Sequence, residues 1–210
     1  MNKRLPSPRK QRNREATIQS MLDAARTIMR EEGVAALSMQ ELARRMEMRS
    51  PSLYNYFSSK MDIYDTLFRV GISRYDAHLE EMLKTAAGIR DEIRIGVESY
   101  MTFALAHPEL FHLCFERPVP GFVPSQTSLE LSFGMLNKAY ARVSQFAPDL
   151  NPKVSPRQVV DLVIAVAHGL TALHLANEPN LPSGQGRFGS LTIAAVSMLE
   201  ATLLVQGVIE

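Results

Sequence analysis

Apolar residues return every three or four positions through most of this 210-residue chain, and no run alternates as a strand would. Ile18, Met21, Leu22, Ala25, Ile28 and Met29 make one face of a first helix, with Gly33 positioned to cap it in a left-handed conformation. Ser38 and Glu41 have the spacing of a capping box, which opens a second helix with Leu42 and Met46 on its inner face. Ser50 is expected to cap a short third helix, with Pro51 at the first position, where a missing N–H costs nothing. Ser58 or Ser59 then caps a fourth helix that runs to about Lys84. Further helices are expected over 89–106 and 108–115, broken at Pro108, and over about 126–146, 156–177 and 187–206. The fold class is all-α with about nine helices, and the proline-rich stretch 116–124 is a loop.

Charge is divided unevenly along this pattern. Residues 1–60 carry 12 Lys/Arg against 6 Asp/Glu, whereas the remaining 150 carry 11 against 16. A basic first third suits a polyanion, and an acidic remainder argues against a surface that coats nucleic acid all round. Three parts follow: a flexible basic arm over 1–14, holding Lys3, Arg4, Arg9, Lys10, Arg12 and Arg14; a helical module over 15–60; and a larger helical domain over 61–210. The lone Cys114 cannot form an internal disulfide and reads as a small buried hydrophobe. The N-terminus lacks the apolar core of a signal peptide, and no stretch approaches about 18 consecutive apolar residues. A cytoplasmic protein with no membrane partner is expected.

Only Glu47-Met48-Arg49 separates the second helix from the third, the spacing of a helix-turn-helix. Leu53 and Phe57 can face the module's core, leaving Ser52, Asn55 and Tyr56 on the opposite side and Tyr54 at the margin. Small residues at the helix start admit its end to a major groove, while hydroxyls and cations brace it on phosphates. The segment LSMQELARRMEMRSPSLYNYFSSK, residues 37–60, resembles the DNA-binding module of the TetR/AcrR regulators through Leu42-Ala43, Leu53-Tyr54-Asn55-Tyr56-Phe57 and Lys60. That resemblance implies base contacts from Gln40, Arg49, Ser50, Pro51 and Ser52, and phosphate contacts from Ser38, Tyr54, Tyr56 and Lys60. Glu47 stands where the family has glycine; should the turn need positive φ, a side chain there costs about 1 kcal/mol.

The resemblance also implies a homodimer on a double-stranded operator, built through the last two long helices. Their composition agrees, since both are apolar nearly all round and need cover on every side. The candidate interface residues are Leu162, Val166, Leu170, Leu173, Val196, Leu199 and Leu203. The stretch 165–176 together with 107–111 resembles a TetR subgroup with a Trp-containing His-Gly C-terminal domain, although Ile164 stands at the tryptophan's place. Regulators of this type hold an apolar effector in a cavity between helices; the candidates here are Met82, Tyr100, Phe103, Phe111, Cys114, Phe115, Phe133 and His168. A ligand-responsive repressor is the expected function, and a DNA-binding or protein-docking factor without small-molecule control is the alternative. His107 and His112 are five apart and His168 and His174 six apart, which does not match an HExxH site. Neither an enzyme nor a cofactor or metal site is expected.

Overall fold

The computed structural model describes residues 8–205, and the account below concerns these. Their order is α1 (Pro8–Glu32), α2 (Met39–Arg45), α3 (Ser50–Leu53), α4 (Lys60–Leu83), α5 (Ile89–Ala106), α6 (Pro108–Phe111), α7 (Gln126–Ser144), α8 (Pro156–Asn177), α9 (Gly186–Gly189) and α10 (Thr192–Leu203). Among the described residues the extended pairing is limited to an isolated bridge between Leu150 and Leu204, so the chain is all-α as expected.

Several boundaries differ from expectation. Residues 8–14 of the supposed arm are the first turns of α1, where Pro8 takes a position that needs no N–H and Gln11 bonds Glu15 at 3.2 Å one turn on. Lys3 and Arg4, the arm's first cations, lie outside the described residues. Gly33 has the expected positive φ of 93°, but its ψ of 153° is extended, so it turns the chain into the 3-10 segment Val34–Ala36 instead of closing α1. Ser50 does not cap α3. Arg49 is the extended residue before the helix, Ser50 is already helical, and Pro51 occupies the second position. The last expected helix is divided at Ser190–Leu191, where Gly189 lies so close to the His174 ring that an added Cβ would sit 3.1 Å from it.

Other caps form as the sequence indicates. Ser38 accepts the Glu41 N–H at 3.1 Å and Ser59 accepts that of Asp62 at 3.3 Å; in addition, Ser155 with Gln158 completes a full capping box on α8 that the sequence reading did not name. The Ser38 box is only half formed, because the Glu41 carboxylate is taken by Arg44 and Arg45. Pro108 breaks the chain as expected: His107 is non-helical, and α6 passes into a wide π turn over His112–Glu116.

The buried face of α1 packs on α2, α4 and α6. From α4, Ile63, Tyr64, Leu67 and Phe68 are buried, and the Tyr64 hydroxyl donates to the Val34 carbonyl at 2.6 Å. The start of α4 therefore completes the N-terminal module's core, while its later turns pack on α5 and α7. Helix α8 lies against α5, α7, α9 and α10. Helix α8 is long and apolar enough to cross a membrane by length and composition alone, a test that a core helix also passes, and 28% of its apolar stretch is buried within the protomer.

Candidate nucleic-acid interface and internal cavity

The link between α2 and α3 is built by backbone geometry. Met48 N–H reaches the Ala43 carbonyl at 2.9 Å and Glu47 N–H the Arg44 carbonyl at 3.2 Å, the paired bonds of a Schellman close. Glu47 occupies its left-handed position, at φ 52°. The turn thus needs positive φ, and this chain fills the place with a residue carrying a Cβ. Arg45 fixes α2 against the end of α1 by reaching Glu31 at 2.6 Å, Glu32 at 2.7 Å and Glu41 at 2.8 Å. Hydrogen bonds from Arg44 and then Arg45 draw the Glu41 carboxyl down to about 2.

This scaffold buries Leu53 and Phe57 and turns the opposite side of α3 outward. Gln40, Arg49 and Pro51 are exposed, and Ser38, Ser50, Ser52, Tyr56 and Lys60 are half-buried. Tyr54 is 56% exposed, so it does not pack between helices. Ser38 is engaged as a cap, whereas Ser50 lies within the helix and does not cap it. Tyr56 is partly covered: the Arg14 guanidinium sits 5.0 Å from its ring centre and donates to the Asn55 carbonyl at 2.8 Å. The first turns of α1, with Arg9, Lys10 and Arg12 exposed, therefore flank the same surface.

A cavity of about 250 Å³ lies between α4, α5, α7 and α8. Of the residues expected to line it, Tyr100 and Phe115 do; Met82, Phe103, Phe111, Cys114, Phe133 and His168 do not. Phe103 packs on Tyr75 and Phe111 edge-on to Tyr100 within one aromatic cluster, and His168 Nδ1 pairs with the Tyr100 hydroxyl at 3.0 Å. Cys114 faces Gly71, where an added Cβ would meet its sulfur at 2.5 Å; burial pushes its thiol up to about 12, which leaves it unreactive. Met82 is half-buried outside the lining, and Phe133 points outward from α7. The wall is instead aliphatic and small, with Leu79, Ile93, Gly96, Ala139 and Val163, and it carries charged groups that composition alone did not single out.

Two connections join the larger helical domain to the N-terminal module. One is α4, which contributes to both. The other is Glu109 at the start of α6, buried and held by Arg26 and Arg30 of α1. On the far side, α8 and α10 leave Leu162, Leu173, Ile193 and Met198 exposed. Val166 and Leu170 are half-buried, while Val196, Leu199 and Leu203 face the protomer's own core and are unavailable to a partner. Periodicity identified the apolar helix but could not say which of its two apolar sides was already covered. Among the described residues no group of three or more His, Cys, Asp or Glu could hold a metal ion.

Residues 21–67 match the family described as bacterial regulatory proteins, tetR family, and residues 93–196 match the tetracyclin repressor-like C-terminal domain. The chain belongs to the TetR family of DNA-binding transcriptional regulators. Over 96 residues it is 28% identical to the HTH-type transcriptional activator FasR of Mycolicibacterium smegmatis, a match covering 46% of this chain and 44% of that protein. It thus spans less than half of this relative's length. A Rhodococcus sp. RHA1 protein of unknown function shares the fold at a TM-score of 0.74 and 22% identity, covering 90% of this chain and 95% of that one. FadR from Bacillus subtilis, solved in complex with stearoyl-CoA, does so at 0.66 and 14%, with 86% and 96% covered.

Proposed function

We propose that the protein is a ligand-responsive repressor, which holds a palindromic operator as a homodimer and lets it go when a small apolar effector enters the cavity. The observation that carries this is α4, one continuous helix whose first turns build the DNA-reading module's core and whose later turns wall the cavity. An occupant that shifts the later turns also shifts the module, so the two sites have a physical means of coupling. The exposed apolar residues of α8 and α10 supply the dimer face, which sets two recognition helices about one DNA turn, ~34 Å, apart or a multiple of it. Gln40, Arg49, Ser50, Pro51 and Ser52 read base edges in this scheme; Ser38, Tyr54, Tyr56 and Lys60 hold phosphates. The alternative, a DNA-binding or docking factor without small-molecule control, is favoured less, because such a factor has no use for an apolar cavity. That FadR of the same fold was solved with stearoyl-CoA supports the effector reading.

Selection of random duplexes by the purified protein at near-physiological salt tests the proposal. Enrichment of a two-fold symmetric site is expected. Equal retention of all duplexes at fixed salt overturns the operator, since phosphate contacts alone carry no sequence information.

A further inference from the structure

We infer that the cavity's occupant is a cationic amphiphile, an apolar chain ending in a protonated amine that Glu92 receives. The inference rests on the effector reading above and gives that effector a chemistry.

The cavity has two chemically different ends. At one, Tyr75, Tyr100 and Phe115 form an aromatic wall, with Tyr75 standing edge-on to Tyr100 at 5.6 Å and to Phe115 at 5.6 Å. At the other, Arg142 lies between Glu80 and Glu92. Glu92, Gly96 and Tyr100 occupy successive turns on one face of α5, so the two ends are about 12 Å apart along that helix at 1.5 Å per residue. Between them the lining is mainly aliphatic, apart from Ser132 and the mutually paired Asp76 and Lys138; Gly96 lets α8 pack close, since a Cβ there would meet a Val163 methyl at 3.0 Å. The space is shaped for an extended chain with one distinct end.

The ion pairs decide what that end is. Three carboxylates line the cavity, Asp76, Glu80 and Glu92, against two cations, Lys138 and Arg142. Lys138 is taken by Asp76 at 2.6 Å and Arg142 by Glu80 at 2.6 Å. Glu92 is left with Arg142 at 3.7 Å, beyond hydrogen-bond reach, although its side chain is only 12% exposed. Loss of solvation lifts the Glu92 carboxyl above its ordinary range, and the Arg142 charge does not offset this. An anionic head group would bring a fourth negative charge to two cations that are already paired. A protonated amine makes the third pair and satisfies the one carboxylate that lacks a donor. Its chain then extends toward the aromatic wall.

Calorimetric titration of the full chain at pH 7 with decylamine, decanoate and decanol separates the possibilities, since the three share a chain and differ in head group. Decylamine is expected to bind at least about tenfold more tightly than either other probe, and Glu92→Gln to remove that advantage. Decanoate binding as tightly as decylamine, or tighter, overturns the inference while keeping the cavity as an effector site. So does equal binding of all three, or an advantage for decylamine that survives Glu92→Gln. No binding by any probe removes the effector reading itself and the inference with it.

Discussion

Arg26 of α1 and Glu109 of α6 meet at 2.8 Å although they are 83 positions apart. Arg30 takes the other oxygen of the same carboxylate at 2.9 Å, so one buried acid holds two cations of the DNA-reading module. Glu109→Gln keeps the shape but leaves both guanidiniums without their counter-charge. Arg30 is half exposed and can turn to water, which places the expected loss at the low end for a broken buried pair, about 2–3 kcal/mol by urea denaturation. A loss below about 0.5 kcal/mol would show that the pair contributes no more than a surface contact.

Acid should weaken the same junction. His107 ends α5, with its ring 5.3 Å from that of Phe103 and its Nδ1 3.4 Å from Arg26. Burial, and then the Arg26 charge, hold its pKa below the usual 6.5. The unfolded chain therefore binds a proton more readily than the folded one. This contribution is complete above about pH 6.5 and is lost as pH falls through the folded value. In His107→Gln the fall in Tm below that pH should be shallower, and a curve parallel to the parent's would assign the acid sensitivity to other groups.

Tyr54 is exposed, so Tyr54→Ala is expected to change stability by no more than about 0.5 kcal/mol. Binding should weaken on all duplexes alike, as loss of a phosphate contact requires. Ser52→Ala and Gln40→Ala should instead change the preferred base at particular positions. The check is the same random-duplex selection performed on each variant; a Tyr54→Ala protein with altered base preference would reassign that tyrosine to a base edge.

Glu47→Gly relieves a side chain held at φ 52°. The gain should be about 0.5–1 kcal/mol, because glycine's larger entropy in the unfolded chain takes back part of it. Thermal melting measures this, and a lower Tm would mean that Glu47 has a favourable interaction exceeding its backbone strain.

Ile193 is 81% exposed on α10 and Leu173 is exposed on α8. If the proposed dimer forms through this face, charges at both, Leu173→Glu with Ile193→Glu, should leave folded monomers in sedimentation and abolish cooperative binding to the selected duplex. A dimer that persists would locate the interface elsewhere.

Sequence patterns located several helix starts because capping is local chemistry: Ser38 and Ser59 each bond the N–H three residues on. At Glu47 it was the resemblance to a family with glycine at that place that raised the question of positive φ, and the turn has it. The cavity lining was not legible. Aromatic candidates such as Phe103 and Phe111 turned out to be core, while aliphatic and small residues such as Leu79, Ala139 and Val163 line the space. Periodicity shows that a helix such as α5 is apolar on two sides, but which side meets a neighbour and which meets a void depends on how α7 and α8 lie across it. Likewise Val196 and Ile193 are three apart on one apolar helix, and only packing makes one of them core and the other surface.

The 24 residues of α4 span roughly 36 Å at 1.5 Å per residue. Tyr64, near one end, is pinned to Val34 of the head, and Glu80, near the other, to Arg142. The helix is therefore a lever with a load at each end, and the boundary expected between residues 60 and 61 is no place to cut it. A head expressed alone would lose the four buried side chains Ile63, Tyr64, Leu67 and Phe68 from its interior. In an inserted sensor or chimaera, the exchangeable unit has to carry α4 with it.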